Sequence, residues 1–308
     1  MKVLTLLLAI LPINFSLAQN LVPNASFEEI NSLPCDVYVN DLSEAKKMFN
    51  AILKYWKLPT DATTDPFSLL SGITCQSYPS QEIWGAPLPK DGNNMVGLYT
   101  TSLTNRNYRE YISVRLKDKL IPGQQYLCGF YTAISSKFNF SSNEIGMYFS
   151  PDTVTHPYGD IFVFSLNYNP QVRFDLTDNS KKWRLYTGCF TAEQELAYLT
   201  IGNFRDKNYD DAYNFIDSVF VQQINKPFIP NVITPNGDCC NEKFVLKDVD
   251  AADWSVTILN RWGQSVHQSE SYKNNFTGSE LSTGVYFYHV QHRECKNLTY
   301  KGSLTIIH

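Results

Sequence analysis

The sequence predicts an all-β protein in two parts, and three observations carry that prediction. Aromatic residues make up 14% of the 308 residues, with 19 Tyr and 19 Phe. Aromatic and β-branched side chains suit a pleated, half-buried surface. Short runs of such residues, each bounded by turns, recur from residue 108 to the carboxyl end, which is the pattern of antiparallel sandwiches. A break at Lys226-Pro227-Phe228-Ile229-Pro230 then divides the runs, since proline favours extended chain and donates nothing to a ladder. The length agrees with about two domains.

The amino terminus reads as a secretory signal. Met1-Lys2 precedes an apolar run, Val3 to Pro12, and Ser16-Leu17-Ala18 supplies small residues for a cut before Gln19. The run is well short of the roughly 20 residues that span a bilayer. The formal charge is 26 basic minus 30 acidic residues, or −4. Loss of Lys2 leaves 25 minus 30, or −5, in the mature chain. No basic face of the kind nucleic acid requires is suggested.

Residues 41–57 carry the one helical signal. Asp41 and Glu44 have capping-box spacing. Leu42, Ala45, Met48, Phe49, Ile52, Tyr55 and Trp56 follow at three- and four-residue steps, and Pro59 stops the run. From 60 to 105 the chain reads as irregular and turn-rich. Seven strand-like runs come next: Tyr108–Leu116, Gln125–Ala133, Glu144–Phe149, Ile161–Leu166, Trp183–Thr191, Leu196–Gly202 and Asn214–Gln223. Beyond the linker at 227–230, Trp254–Leu259, Gly284–Gln291 and Gly302–Ile307 suffice for a small Ig-like sandwich. The organisation expected is a signal peptide at 1–18, a first domain at 19–226 and a second at 228–308.

Seven cysteines in a secreted chain point to disulfides. Four of them (Cys35, Cys75, Cys128, Cys189) lie in the first domain, and four cysteines allow three connectivities. Cys35–Cys75 and Cys128–Cys189 are the pairs favoured here. Cys239, Cys240 and Cys295 lie in the second domain, so one thiol of the adjacent pair stays unpaired.

The second domain carries the most specific motifs: Ile233-Thr-Pro-Asn-Gly-Asp238, Asn241, Phe244, Val256-Thr-Ile-Leu-Asn-Arg-Trp-Gly263, Gly278, Gly284-Val-Tyr-Phe-Tyr288 and Tyr300-Lys-Gly-Ser-Leu304. In this order they closely resemble the gliding-motility-associated C-terminal domain, the type B sorting domain of type IX secretion. That resemblance implies an Ig-like sandwich read by the outer-membrane translocon. It also implies periplasmic transit, then release or retention at the cell surface. The chain departs from the family at Cys239 and Cys240, where glycine and an apolar residue are usual, and at Phe276, where tryptophan is usual. The cysteines suggest a bridge from Cys240 to Cys295. Asp238, Asn241 and Glu242 are either a cation loop or an ordinary Asn-Gly-Asp turn, and the turn is the reading favoured.

In the first domain, Asn20-Leu-Val-Pro-Asn-Ala-Ser-Phe-Glu28 and Phe215-Ile-Asp-Ser-Val219 resemble the opening and closing strands of galactose-binding-like jelly rolls, many of them carbohydrate-binding modules. The resemblance implies adjacent first and last strands, with Glu28 and Asp217 as candidate ligands of a structural calcium. A calcium ion needs six to eight oxygens. For glycan, flat rings stack on sugar faces and polar groups fix orientation. Trp84, Tyr99, Tyr108 and Arg109 are the candidate ligand-binding residues.

Catalysis has little support. There is no Gly-x-Ser-x-Gly elbow, no His-Glu-x-x-His and no P-loop. His156, the only histidine before the linker, lies in a turn-like Thr-His-Pro-Tyr stretch. The function expected is non-catalytic binding, of glycan or a surface protein, by a secreted or cell-surface protein. The alternative is a structural or adhesion component of the gliding or surface machinery.

Overall fold

The computed structural model describes residues 19–34, 42–71, 84–102, 108–138, 143–154, 165–176, 180–205 and 211–308. The chain forms two compact units, Asn20–Ile224 and Asn225–His308. Nearly all regular structure is strand, as the composition predicts.

The first unit is a jelly-roll-like sandwich of two five-stranded sheets, in the orders β1-β4-β9-β6-β7 and β2-β3-β10-β5-β8. The strands are β1 (Trp56–Lys57), β2 (Asp65–Ser68), β3 (Asn94–Thr101), β4 (Tyr111–Leu120), β5 (Gln125–Ile134), β6 (Asn143–Ser150), β7 (Val172–Leu176), β8 (Arg184–Thr191), β9 (Leu196–Gly202) and β10 (Ala212–Ile224). Every pairing is antiparallel. Phe27, Trp56, Leu98, Ile112, Phe130, Met147, Leu199 and Ile216 belong to the core between the sheets. The opening and closing segments do lie side by side: Leu21 N–H donates to Val221 O at 2.8 Å.

Three expectations change. The helix α1 (Leu42–Ile52) is shorter than its apolar pattern. Tyr55 takes φ +71°, a left-handed conformation that a helix interior excludes. Trp56 then turns back as strand β1 to bury its ring. The stretch from 60 to 105 is not wholly irregular, because it contains β2 and β3. β3 is buried almost throughout, so it lacks the polar alternation of a half-exposed strand. The run at 161–166 falls largely outside the described residues, and β7 supplies a strand that the sequence reading missed.

The cysteines correct the disulfide scheme. Cys128 carries a free thiol, although Cys189 is disulfide-bonded. The strands bearing them do pair, but Cys128 sits opposite Gly188 and Cys189 opposite Leu127. A one-residue offset puts the two side chains on opposite faces of the sheet. Cys128 therefore faces the core, where burial pushes its thiol pKa up, and no bridge to Cys189 can form. Cys240 is likewise free and Cys295 already disulfide-bonded, so the Cys240–Cys295 staple is absent. Cys35 and Cys75 lie outside the described residues. Among the described residues, Cys128, Cys239 and Cys240 carry free thiols, where a single free thiol was expected.

The second unit is Ig-like. One five-stranded sheet has the order β11-β15-β14-β12-β13, built from β11 (Val232–Ile233), β12 (Trp254–Leu259), β13 (Ser265–Ser269), β14 (Gly284–His292) and β15 (Thr299–Ile306). Alternation along β12 buries Trp254, Val256 and Ile258 on one face. The cover over that face is irregular. Phe244 N–H donates to Phe276 O at 2.9 Å, and the buried Tyr272 hydroxyl donates to Phe244 O. Phe276 is buried, so an apolar anchor survives where the family has tryptophan.

Candidate functional site

Glu28 and Asp217 clamp one loop from two sides. In β10 a bulge between Asp217 and Phe220 breaks the register, and Ser218 takes φ +51°. Bulges re-aim side chains in this way. Asp217 Oδ2 accepts the backbone N–H groups of Lys90 and Asp91 at 2.8 and 3.0 Å. Glu28 Oε1 accepts those of Asn93 and Asn94 at 3.0 and 2.8 Å. Between them Gly92 has φ +66°, and a Cβ there would meet the Glu28 carboxyl carbon at 2.3 Å. Burial raises the Asp217 pKa to about 7 against the pull of these hydrogen bonds. Among the described residues no three His, Cys, Asp or Glu side chains converge on a metal position. The two carboxylates hold the segment leading into β3.

Trp84, Tyr99 and Tyr108 do come together, beside β3 and β10. The Trp84 ring stacks on Tyr213 at 4.8 Å and meets Tyr99 edge-on at 5.9 Å. Tyr108 meets Tyr99 at 6.1 Å. Trp84 and Tyr99 also pack on the small core of Phe67, Met95, Tyr213 and Phe215. Arg109 is 1% exposed.

Beneath these rings lie two acids that the sequence reading missed. Asp65 accepts from the Tyr213 hydroxyl at 2.6 Å. Glu110 accepts from the Tyr108 hydroxyl at 2.7 Å through Oε1, and from the Tyr99 N–H at 2.7 Å through Oε2. Burial pushes Asp65 up to about 7, and burial together with the Asp65 charge pushes Glu110 up to about 8. No motif announces them, because Asp65 and Glu110 meet only once β2 and β4 are folded.

A second unforeseen group lies on the outer face of β6 and β7. Tyr168 is exposed and stacks on Tyr148 at 4.7 Å, with planes 22° apart. Next to it Asn169 accepts from Arg173, which also pairs with the buried Glu144 at 2.9 Å. Arg205 reaches Glu144 at 2.9 Å and Asp175 at 3.4 Å. The alternation of Val-Arg-Phe-Asp-Leu in β7 already puts Arg173 and Asp175 on one outward face.

In the second unit, the loop after β11 is an ordinary turn. Asp238 N–H donates to Asn236 Oδ1 at 3.1 Å, and Asp238 Oδ1 accepts from Cys240 N–H at 2.8 Å. Trp262, in the turn between β12 and β13, is exposed, with the Arg261 guanidinium 4.3 Å from its ring centre.

Residues 228–306 match the CHU_C Type IX secretion signal domain. No curated protein matches the chain. Among solved structures, it resembles an arabinose-bound MgGH51 α-L-arabinofuranosidase (10% identity, TM-score 0.39) over 68% of this chain and 27% of that one. It also resembles TmCBM61 in complex with β-1,4-galactotriose (12%, TM-score 0.31), over 67% of this chain and all of that one. The K1 cleaved adhesin domain of Lys-gingipain from Porphyromonas gingivalis W83 is a third (14%, TM-score 0.32), over 56% and 92%. The chain spans only about a quarter of the arabinofuranosidase. Among the described residues, no helix is long and apolar enough to cross a membrane.

Proposed function

We propose that this protein leaves the cell by the type IX route and acts outside it as a non-catalytic binding protein, with glycan as the ligand of residues 19–226. The observation that carries the reading is the secretion signal domain at 228–306, attached to a separate compact β unit. Export hands the first unit to surroundings rich in polysaccharide and surface protein. Recognition by the translocon through 228–308, and display on the outer face of the outer membrane, belong to the same proposal. The exposed Tyr168 ring, backed by Tyr148 and flanked by Asn169 and Arg173, supports a stacking surface for a sugar, because a flat ring beside fixed polar groups both holds and orients one. A glycan array probed with the mature chain tests this. Binding that is lost in Tyr168→Ala and kept in Trp84→Ala supports the outer surface of β6 and β7.

The inward turn of Trp84, Tyr99 and Tyr108 favours a second reading, a structural or adhesion component with no small ligand. An empty array, together with co-purification with outer-membrane assemblies, decides for it.

A further inference from the structure

The adjacent cysteines of the second unit are the feature that neither the fold nor the export reading uses. Cys239 and Cys240 are both exposed and both free. Apart from each other, neither has a cysteine of its own unit to pair with, since Cys295 is buried and already disulfide-bonded. Their loop is tied at its base. Thr234 N–H donates to Asn241 O at 2.8 Å, and the Thr234 hydroxyl donates to Cys240 O at 3.1 Å. The two cysteines are thus consecutive residues of a short, anchored turn. Cys239 takes φ +70° and Asn241 φ +54°, after Gly237 at φ +82°. Neither cysteine packs in the core, so neither is there to fill space.

We propose that Cys239 and Cys240 form a redox-responsive modification site, closing reversibly into a disulfide between adjacent residues by exchange with a small disulfide such as oxidised glutathione. One thiolate attacks the small disulfide, forming a mixed disulfide and releasing one small thiol. The neighbouring thiolate then attacks the protein sulfur of that mixed disulfide, closing the ring and releasing the second small thiol. The protein loses two hydrogens and two electrons, and the small disulfide gains both. Adjacency favours the second step over capture of another molecule, because the attacking sulfur is already beside its target. The closed form is strained. Consecutive Cα atoms lie about 3.8 Å apart, whereas disulfides usually span about 4.4–6.8 Å. Strain of this kind makes a disulfide labile and readily reversed.

The mature protein, incubated with oxidised glutathione, tests this by intact mass and peptide mapping. The expected product has lost two hydrogens, carries no glutathione, remains a covalent monomer, and maps its new bond to the peptide holding residues 239–240. Cys239→Ser and Cys240→Ser are expected instead to keep one glutathione each or to form covalent dimers. Mild dithiothreitol should reopen the wild-type ring before it reduces the bonds of Cys189 and Cys295. Stable glutathione adducts on wild-type Cys239 or Cys240, or wild-type dimers linked through them, overturn the proposal. Both readouts are independent of glycan binding and of export.

Discussion

Cys128 and Cys189 lie on paired strands, yet a one-residue offset sends their sulfurs to opposite faces of the sheet. Thiol reactivity should follow this arrangement. In the native protein, Cys239 and Cys240 should react rapidly with a thiol reagent, and Cys128 only after denaturation. Comparison with Cys128→Ala under both conditions checks the assignment, and a native-state difference between the two proteins would sink it. Asp65 and Glu110 lead to a second prediction at this scale. Their folded pKa values, about 7 and about 8, lie above their ordinary values of 3.8 and 4.5. The folded state therefore holds more protons than the unfolded one over that interval, and stability falls as pH rises through it. The stabilisation is complete below about pH 4 and lost by about pH 8. Urea midpoints measured across this range should decline, and Asp65→Asn with Glu110→Gln should flatten the decline. Asp217, also raised, adds to the same slope.

At the scale of elements, β10 matters most to the first unit, since it pairs with both β3 and β5 and its bulge aims Asp217 at the 90–94 loop. Asp217→Ala leaves three backbone donors, on Lys90, Asp91 and Ser218, without their acceptor and should cost about 1–3 kcal/mol. Gly92→Ala drives a Cβ into the Glu28 carboxyl at a left-handed position, so a loss of similar size is expected. Thermal denaturation measures both. A chelator should leave the melting temperature unchanged, because these carboxylates already serve backbone donors. The elements also show where sequence reading works. β5, β8, β9, β10, β12 and β14 announce themselves through short apolar runs between turns. β3 does not, because burial on both faces removes the alternation, and Asp65 hides in a strand whose partners lie far along the chain.

For the whole molecule, removal of 228–308 should keep the rest of the chain inside the cell envelope. Fractionation with an antibody against the first unit measures this, and appearance of the truncated chain in the medium would count against the type IX route. The export unit was legible because its motifs lie close together in a fixed order. The proposed binding surface was not, because Tyr148, Tyr168 and Arg173 come together only through pairing of β6 with β7. Likewise, the rings singled out by their position beside the loops turn mainly toward one another.

In the second unit β11 pairs in parallel with β15, and Val232 lies beside Thr305. The sheet thus seats its first strand against its last. The unit closes only when the two ends of its sequence meet, so a break anywhere before β15 leaves β11 without the partner it requires.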